Sequence, residues 1–379
     1  MARNVSYNNC SRWPGEEEEA RGLHEVYKAV FHVVFPVLIT VGVITNVLNL
    51  VVLTRPMMRN RAYRWLRCLA TVDIMLYLLT IPVCLAMGGH GPTTHTLAFY
   101  YAHFGWALSI SSQILSFYLM SWFAYDRFLA VCRHDKYPDS QRALVFEWRV
   151  AGSLVWVMAL YAPTAAVGQV CQVAEGWVPL DGYTLGMGKV WYRGYSWVRE
   201  IFSRVAPAAV LTFCNVKIAY RLKHLRSIRD SFGSGVPPAR RERERRLVLL
   251  LFWVTAFFYL YNTPVTIYYL GFLNYSQKHT YSLLTFGAIS NMLQMMGNIS
   301  NSILYFLINP DFQRTLRALL HLRVPPGARD QGRDSIRSQG SFKLKLGVSL
   351  GLNGNNQIDS GLQPDLPPPA TPVYRSYNS

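Results

Sequence analysis

A single carboxylate, Asp73, interrupts the apolar stretch Leu69-Ala70-Thr71-Val72-Asp73. A charge in that setting either is satisfied by hydroxyl and amide neighbours or marks a cation or proton site whose occupancy changes between conformations, because an unpaired one costs several kcal/mol. Asp126-Arg127 closes another apolar run. Adjacent opposite charges leave a helix in different directions, so Arg127 is expected to reach a neighbouring helix while Asp126 tempers it; an interfacial pair reaching for headgroups is the plainer alternative. Glu200 and Arg204 stand at i and i+4 in the favoured order and are expected to neutralise each other. Arg199 is then left without a local partner, suited to an acidic or carbonyl group on a ligand. Intramembrane catalysis would need paired groups at one depth, and a metal centre would need clustered His, Cys or carboxylates. His32 and His103 read instead as interfacial, so no enzyme is expected.

The elements that must position these residues are long apolar runs, at about 28–54, 62–87, 97–132, 148–170, 197–226, 242–272 and 281–308. Each has the roughly 20 residues that a helix needs to cross a bilayer, and the short joins leave no room for a soluble core. The expected fold is an all-α membrane protein, a bundle of seven transmembrane helices spanning 28–310. Pro36, Pro82, Pro163, Pro207 and Pro264 lie inside the runs, where membrane helices tolerate them as kinks. No internal repeat is visible, which argues against a transporter built from inverted repeats.

The net charge of +17 would suit a nucleic-acid partner, but the basic residues flank the apolar runs instead of forming a module of their own, so none is expected. Arg55, Arg59, Arg61, Arg64 and Arg67 follow the first run, Arg133, Lys136 and Arg142 the third, and a basic set from Lys217 to Arg246 surrounds the fifth-to-sixth join. The positive-inside bias therefore places the N-terminus outside and the C-terminus in the cytosol. Residues 1–27 are expected outside, with glycosylation acceptors at Asn4 and Asn9, and Asn274 falls in another outer join. Asn298-Ile299-Ser300 also fits the acceptor pattern but lies within the seventh run. Glu16 to Glu19 occupy the place of a signal peptide's apolar stretch, so the first span is expected to direct insertion. Over 311–323, Phe312, Leu316, Leu319 and Leu320 oppose Arg314, Arg317 and Arg323, the pattern of a short amphipathic eighth helix on membrane lipids. Residues 324–379, rich in Gly, Ser, Asn and Pro, are expected to be a disordered cytosolic tail.

Asn46, Leu69 to Asp73, Asp126 to Val131, Trp156, Pro207, Pro264 and Asn301 to Tyr305 followed by Phe312, in this order and over residues 28–322, together resemble the signature set of rhodopsin-like (class A) G-protein-coupled receptors. The resemblance implies a multi-pass receptor of the plasma membrane that couples an extracellular ligand to a heterotrimeric G protein, with arrestin and a receptor kinase acting on Ser335, Ser338 and Ser341 of the tail. It gives Arg127, flanked by Asp126, the part of the arginine that holds the resting state, with Glu244 as its partner on the sixth helix, Pro264 as the pivot and Tyr305 as the residue that holds the open state. It also implies an allosteric sodium ion on Asp73, Ser116, Asn298 and Asn301, and no other cofactor. A retinal-binding reading fails, because 281–308 contains no lysine.

The chain departs from that pattern in places. Asn262 occupies the position of the usual toggle tryptophan, Ser302 that of the proline after Asn301, and Ala102 that of the disulfide cysteine on the third helix. Coupling to the sixth helix is therefore expected to run through hydrogen bonds. Cys171 is left to pair with Cys10, with Cys84 as a rival, and the tail offers no Cys for palmitate. Asn215 and Asn262 together are similar to invertebrate FMRFamide-type neuropeptide receptors. Ser109 stands where amine receptors carry a counter-ion, so a monoamine lacks its anchor, whereas Trp177, Trp191, Tyr192, Tyr195, Trp197 and Tyr268 offer aromatic surface. The expected ligand is a peptide facing Gln113, Arg199, Tyr269 and Asn291, with a lipid or small acidic metabolite as the alternative, and a transporter or channel with Asp73 and Arg204 on a polar path as the remoter one. Expressed in glycosylating cells, the chain should shift in mobility on glycosidase treatment, and Asn→Gln changes at Asn4, Asn9 and Asn274 together should remove the shift; an unchanged wild-type band would place these joins in the cytosol.

Overall fold

A computed structural model describes residues 25–26, 29–58, 63–87, 94–173, 176–180, 190–231, 238–272 and 281–319. The chain divides into two units, Met1–Leu322 and Arg323–Ser379, and the second lies outside the described residues, as do Asn4, Asn9, Cys10, Asn274 and the tail serines.

Within hydrocarbon a lone segment satisfies its backbone N–H and C=O groups only as a helix, and the apolar runs fold accordingly. Helix α1 covers Ala29–Leu53, α2 Arg64–Met87, α3 His95–Cys132 and α4 Ala143–Val167. Helix α5 joins Val190–Glu200, Ile201–Val205 and Ala206–Ser231 without a break, and α6 joins Pro238–Ile267 to Tyr268–Phe272. Helix α7 is Tyr281–Ile308 and α8 is Pro310–Leu319. Among the described residues, α1 to α5 are long and apolar enough to cross a membrane, and α6 and α7 complete the seven. Helices α4 and α5 begin before Trp148 and Trp197, where the apolar runs start, because a helix continues readily into the interface where aromatic and charged side chains are at home.

The axis of the bundle is α3. Of its most apolar stretch 78% is buried, against 22% for α4, so α3 is surrounded by protein while α4 turns most of its surface outward. Around α3, Ile114, Phe117, Met120 and Ala124 pack with Val157 and Tyr161 of α4, Leu211 of α5, Phe258 of α6 and Leu304 of α7. A second core joins Val52 and Leu53 of α1, Trp65 and Leu69 of α2 and Leu119 of α3 to Phe312 and Leu316 of α8. The amphipathic eighth helix thus buries its apolar stripe against the bundle, and Asn309 Oδ1 accepts a hydrogen bond from the Phe312 backbone N at 3.3 Å near its start.

Two of the expected proline sites coincide with π-helical widening. The ring of a proline excludes the carbonyl four residues earlier; for Pro36 and Pro207 those are His32 and Ser203, inside the π segments Ala29–Val34 and Ile201–Val205. Beyond Pro264, α6 widens over Tyr268–Phe272, whereas α2 and α4 run on through Pro82 and Pro163.

The join between α4 and α5 departs from the all-helical expectation. Strand β1, Gln169–Val173, pairs antiparallel with β2, Gly176–Leu180, with Cys171 opposite Val178. Gly176 has φ 134°, which the tight return requires and which side chains other than hydrogen disfavour. Where α4 ends, Gly168 seats against α3 so closely that an added Cβ would lie 2.3 Å from the Ala102 carbonyl oxygen. The position that lacks the third-helix cysteine is thus held by backbone contact. Gly168→Ala should lower the melting temperature of the purified protein by the equivalent of roughly 1–3 kcal/mol, the usual cost of overpacking. Gly152→Ala, with nothing within 4 Å of the new Cβ, should leave it unchanged or raised, and equal effects would mean that the Ala102 contact does not constrain the fold.

Candidate functional site

Polar side chains collect between the helices in separate tiers. At the tier of Asp126, the carboxylate is 1% exposed and takes hydrogen bonds from Arg127 Nη2 at 2.5 Å and from Gln141 Nε2. Gln141 lies just beyond the single turn Tyr137–Ser140, and its backbone oxygen accepts from Arg64 Nη2 of α2 at 3.0 Å. The long arginine side chain has curled back along its own helix, over the Phe123 ring at 5.6 Å. Arg127 is therefore not free of Asp126 as adjacent positions suggested. The side chains of Glu244 and Tyr305 lie outside the described residues, although both positions are helical.

The next tier surrounds Asp73, which accepts from Ser116 Oγ of α3 at 2.7 Å. A small cavity beside it is lined by Asn46, Asn49, Asp73, Asn301 and Ser302 together with apolar residues of α1, α2 and α8. Ser302 Oγ donates to Asn46 Oδ1 at 3.0 Å, and Asn46 Nδ2 donates to the Gly42 oxygen at 2.9 Å. Serine in the usual place of a proline thus adds a bond between α7 and α1.

Amides form a third tier. Gln113 Nε2 donates to Asn298 Oδ1 at 3.0 Å while Asn298 Nδ2 donates to Gln113 Oε1 at 2.8 Å, closing a reciprocal pair between α3 and α7. Gln294, one turn along α7, donates from Nε2 to Asn262 Oδ1 of α6 at 3.1 Å, and Asn262 Nδ2 returns to the Phe258 oxygen at 2.9 Å. Asn215 Nδ2 of α5 donates to Thr255 Oγ1 of α6 at 2.5 Å. The two asparagines that set this chain apart therefore tie α6 to α5 and to α7.

A charged tier lies in α5, toward the end of the bundle that carries the hairpin. Arg199 and Glu200 are fully buried and Arg204 is 3% exposed. Arg199 donates to Glu200 Oε1 at 3.0 Å, to Thr164 Oγ1 at 2.9 Å, to Tyr192 OH at 3.2 Å and to Ser196 Oγ at 3.0 Å. Arg204 Nη1 donates to Glu200 Oε2, and the Tyr269 ring stands 4.9 Å from the guanidinium carbon.

This series of helices, with polar groups facing inward at successive depths, matches the profile of the 7 transmembrane receptor (rhodopsin family) over residues 45–305, more than half of the chain. The chain belongs to that family. Among its relatives in Caenorhabditis elegans, one described as a probable G-protein coupled receptor AH9.1 is 22% identical over 316 residues, covering 77% of this chain and 75% of the relative. Another, the probable G-protein coupled receptor B0563.6, is 21% identical over 334 residues, with 83% and 75% covered.

In this receptor, Ser116 bonds Asp73 and Asn301 lines the cavity beside Asp73, while Asn298 is turned to Gln113. Gln113 in turn is buried in the α3–α7 contact. Arg199 requires the clearest correction. It is surrounded by Glu200, hydroxyl groups and tyrosine rings, because neighbours on α4 and on its own helix supply acceptors that local spacing along α5 does not reveal. Tyr269 is 7% exposed and covers Arg204, and Asn291 is half-buried on α7. Cys171 is disulfide-bonded while Cys68, Cys84, Cys132 and Cys214 are free, which removes Cys84 as the rival.

Sequence reasoning alone misses Gln294 and Gln141. A signal for Gln294 is present: Asn291, Gln294, Asn298 and Asn301 recur at helical spacing along one face of α7. None marks Gln141, which reaches Asp126 from a loop. Gln113→Leu or Asn298→Leu alone should destabilise the receptor by roughly 0.6–1.7 kcal/mol, the range for hydrogen bonds between membrane helices. The double change should cost less than the sum; additive losses in a thermal or denaturant series would show that the pair is not coupled.

Proposed function

We propose that this receptor sits in the plasma membrane with its N-terminus outside and passes the binding of an extracellular peptide to a heterotrimeric G protein through movement of α6 about Pro264. The observation that carries the reading is the Gln294–Asn262 hydrogen bond, 3.1 Å long and buried, at the position where an aromatic ring would otherwise link ligand to α6. A ligand can shift an equilibrium only by binding one state better. A single amide bond of this kind, worth about 0.6 kcal/mol between membrane helices, is a barrier that ordinary binding contacts exceed. At the opposite tier, Arg127 is held by Asp126, whose other oxygen takes Gln141 Nε2, and its release would expose a guanidinium suited to backbone carbonyl groups.

The Asp73 cavity supplies carboxylate, hydroxyl and amide oxygens, the donors that a hard monovalent cation takes. In this reading Asp73, Ser116 and Asn301 hold a sodium ion that favours the resting arrangement. The tail serines Ser335, Ser338 and Ser341 take phosphate from a receptor kinase and then dock arrestin, since added phosphate pairs with cationic grooves.

Basal nucleotide exchange tests the switch without a known ligand. Reconstituted with G protein, the Gln294→Leu receptor should exchange about threefold faster than wild type, the shift that ~0.6 kcal/mol gives. Glu244→Ala should act in the same direction, and adding Arg127→Ala to either should return exchange to background. Exchange unchanged by all of these at equal receptor levels would contradict the reading.

A further inference from the structure

Arg199, Glu200 and Arg204 place two guanidinium groups on one carboxylate in a buried setting. The two arginines are not equivalent. Arg199 is satisfied on every side, with Glu200, Thr164, Tyr192 and Ser196 as acceptors and the Tyr161, Tyr192 and Tyr195 rings at 5.7, 5.9 and 5.3 Å. Arg199 with Glu200 is thus a complete neutral pair, seated against α4. Arg204 has the second oxygen of Glu200 and the face of Tyr269, while its Nε is buried without a hydrogen-bond partner. Among the described residues the tier carries one positive charge in excess, and an unmet donor of the tier is on Arg204.

A buried uncompensated charge is costly, and a guanidinium edge with an unused Nε is the edge that takes a carboxylate in a two-pronged fork. We infer that Arg204 donates to a carboxylate on the receptor's ligand, with Tyr269 as the cover that must swing aside. This rests on the receptor reading above and names the chemical class of its ligand. Tyr269 belongs to the π segment of α6 beyond Pro264, so a carboxylate that displaces the ring acts directly on the helix that moves. Glu200 also orients the guanidinium, because its hold on Nη1 leaves the other edge toward the incoming group. The carboxylate can belong to a peptide C-terminus or to a small aromatic acid.

Thermal melting of the purified receptor in lipid nanodiscs tests this without any known agonist. Arg204→Met leaves the neutral Arg199–Glu200 pair and removes the excess charge, so in the absence of ligand it should melt about 2 °C or more above wild type. Arg199→Met, which strips Thr164, Tyr192 and Ser196 of a shared donor, should melt below wild type. N-acetyl-phenylalanine at millimolar concentration should raise the wild-type melting temperature, its primary amide should not, and Arg204→Met should abolish the difference; Arg204→Lys, which keeps the charge without the fork, should retain a reduced shift. Stabilisation by 3-phenylpropionate as well would assign the carboxylate to small acids, and its absence would assign it to a peptide end. A lower melting temperature for Arg204→Met, no shift with either acid, or equal shifts with acid and amide would overturn the inference. Basal nucleotide exchange, which involves none of these probes, reports separately on the receptor reading.

Discussion

Polar side chains inside a hydrocarbon layer have no water to return to, and the arrangement of this bundle follows from that constraint. Each amide, hydroxyl or charge that the sequence places in a span has to find its complement on a neighbouring helix or on its own backbone. The Gln113–Asn298 pair satisfies the constraint symmetrically, each amide donating to the other across α3 and α7. Even toward the outer surface the same rule operates: Trp156 Nε1 donates to Tyr118 OH, which donates to the Phe202 oxygen, so that α4, α3 and α5 are joined through a Trp–Tyr relay. Shape complementarity supplies the rest, as where the Tyr77 ring fills the space above Gly42 so fully that an added Cβ would lie 2.2 Å from it.

These bonds also make the bundle adjustable. A hydrogen bond between membrane helices contributes little net free energy, because a helix that loses one partner finds others nearby. Among the described residues, α6 is held by two amide links, Asn215 to Thr255 and Gln294 to Asn262, where a bulky ring would have filled space. An amide link is directional and exchangeable, and it can be remade one turn along the stripe of α7.

The seven spans, the eighth helix and the prolines at two of the widened segments were legible in the sequence, because apolar run length and ring geometry act locally. Asp73 and Ser116 were singled out by resemblance, and the structure brings them within 2.7 Å of each other. Partner choice was not legible. Arg199 read as unpaired because its acceptors Thr164 and Tyr192 lie on another helix and a turn or two away on its own; Arg127 read as free because a rotamer, and not a spacing, decides whether it turns to Asp126. The β-hairpin escaped notice because the short segments around Cys171 carry no clear alternation, and Gly176 gains its meaning only from its φ.

The central claim is that amide hydrogen bonds, beside the packing of the Phe258 ring on Phe117, hold α6 in its resting place. Electron–electron distance measurement between spin labels at Lys136→Cys and Arg246→Cys, in a receptor whose free cysteines are replaced by serine, reads that position directly. With Gln294→Leu the distance distribution should gain a longer component at the expense of the resting one, and restoring an amide by Gln294→Asn should reduce it. A distribution unchanged by Gln294→Leu would contradict the account.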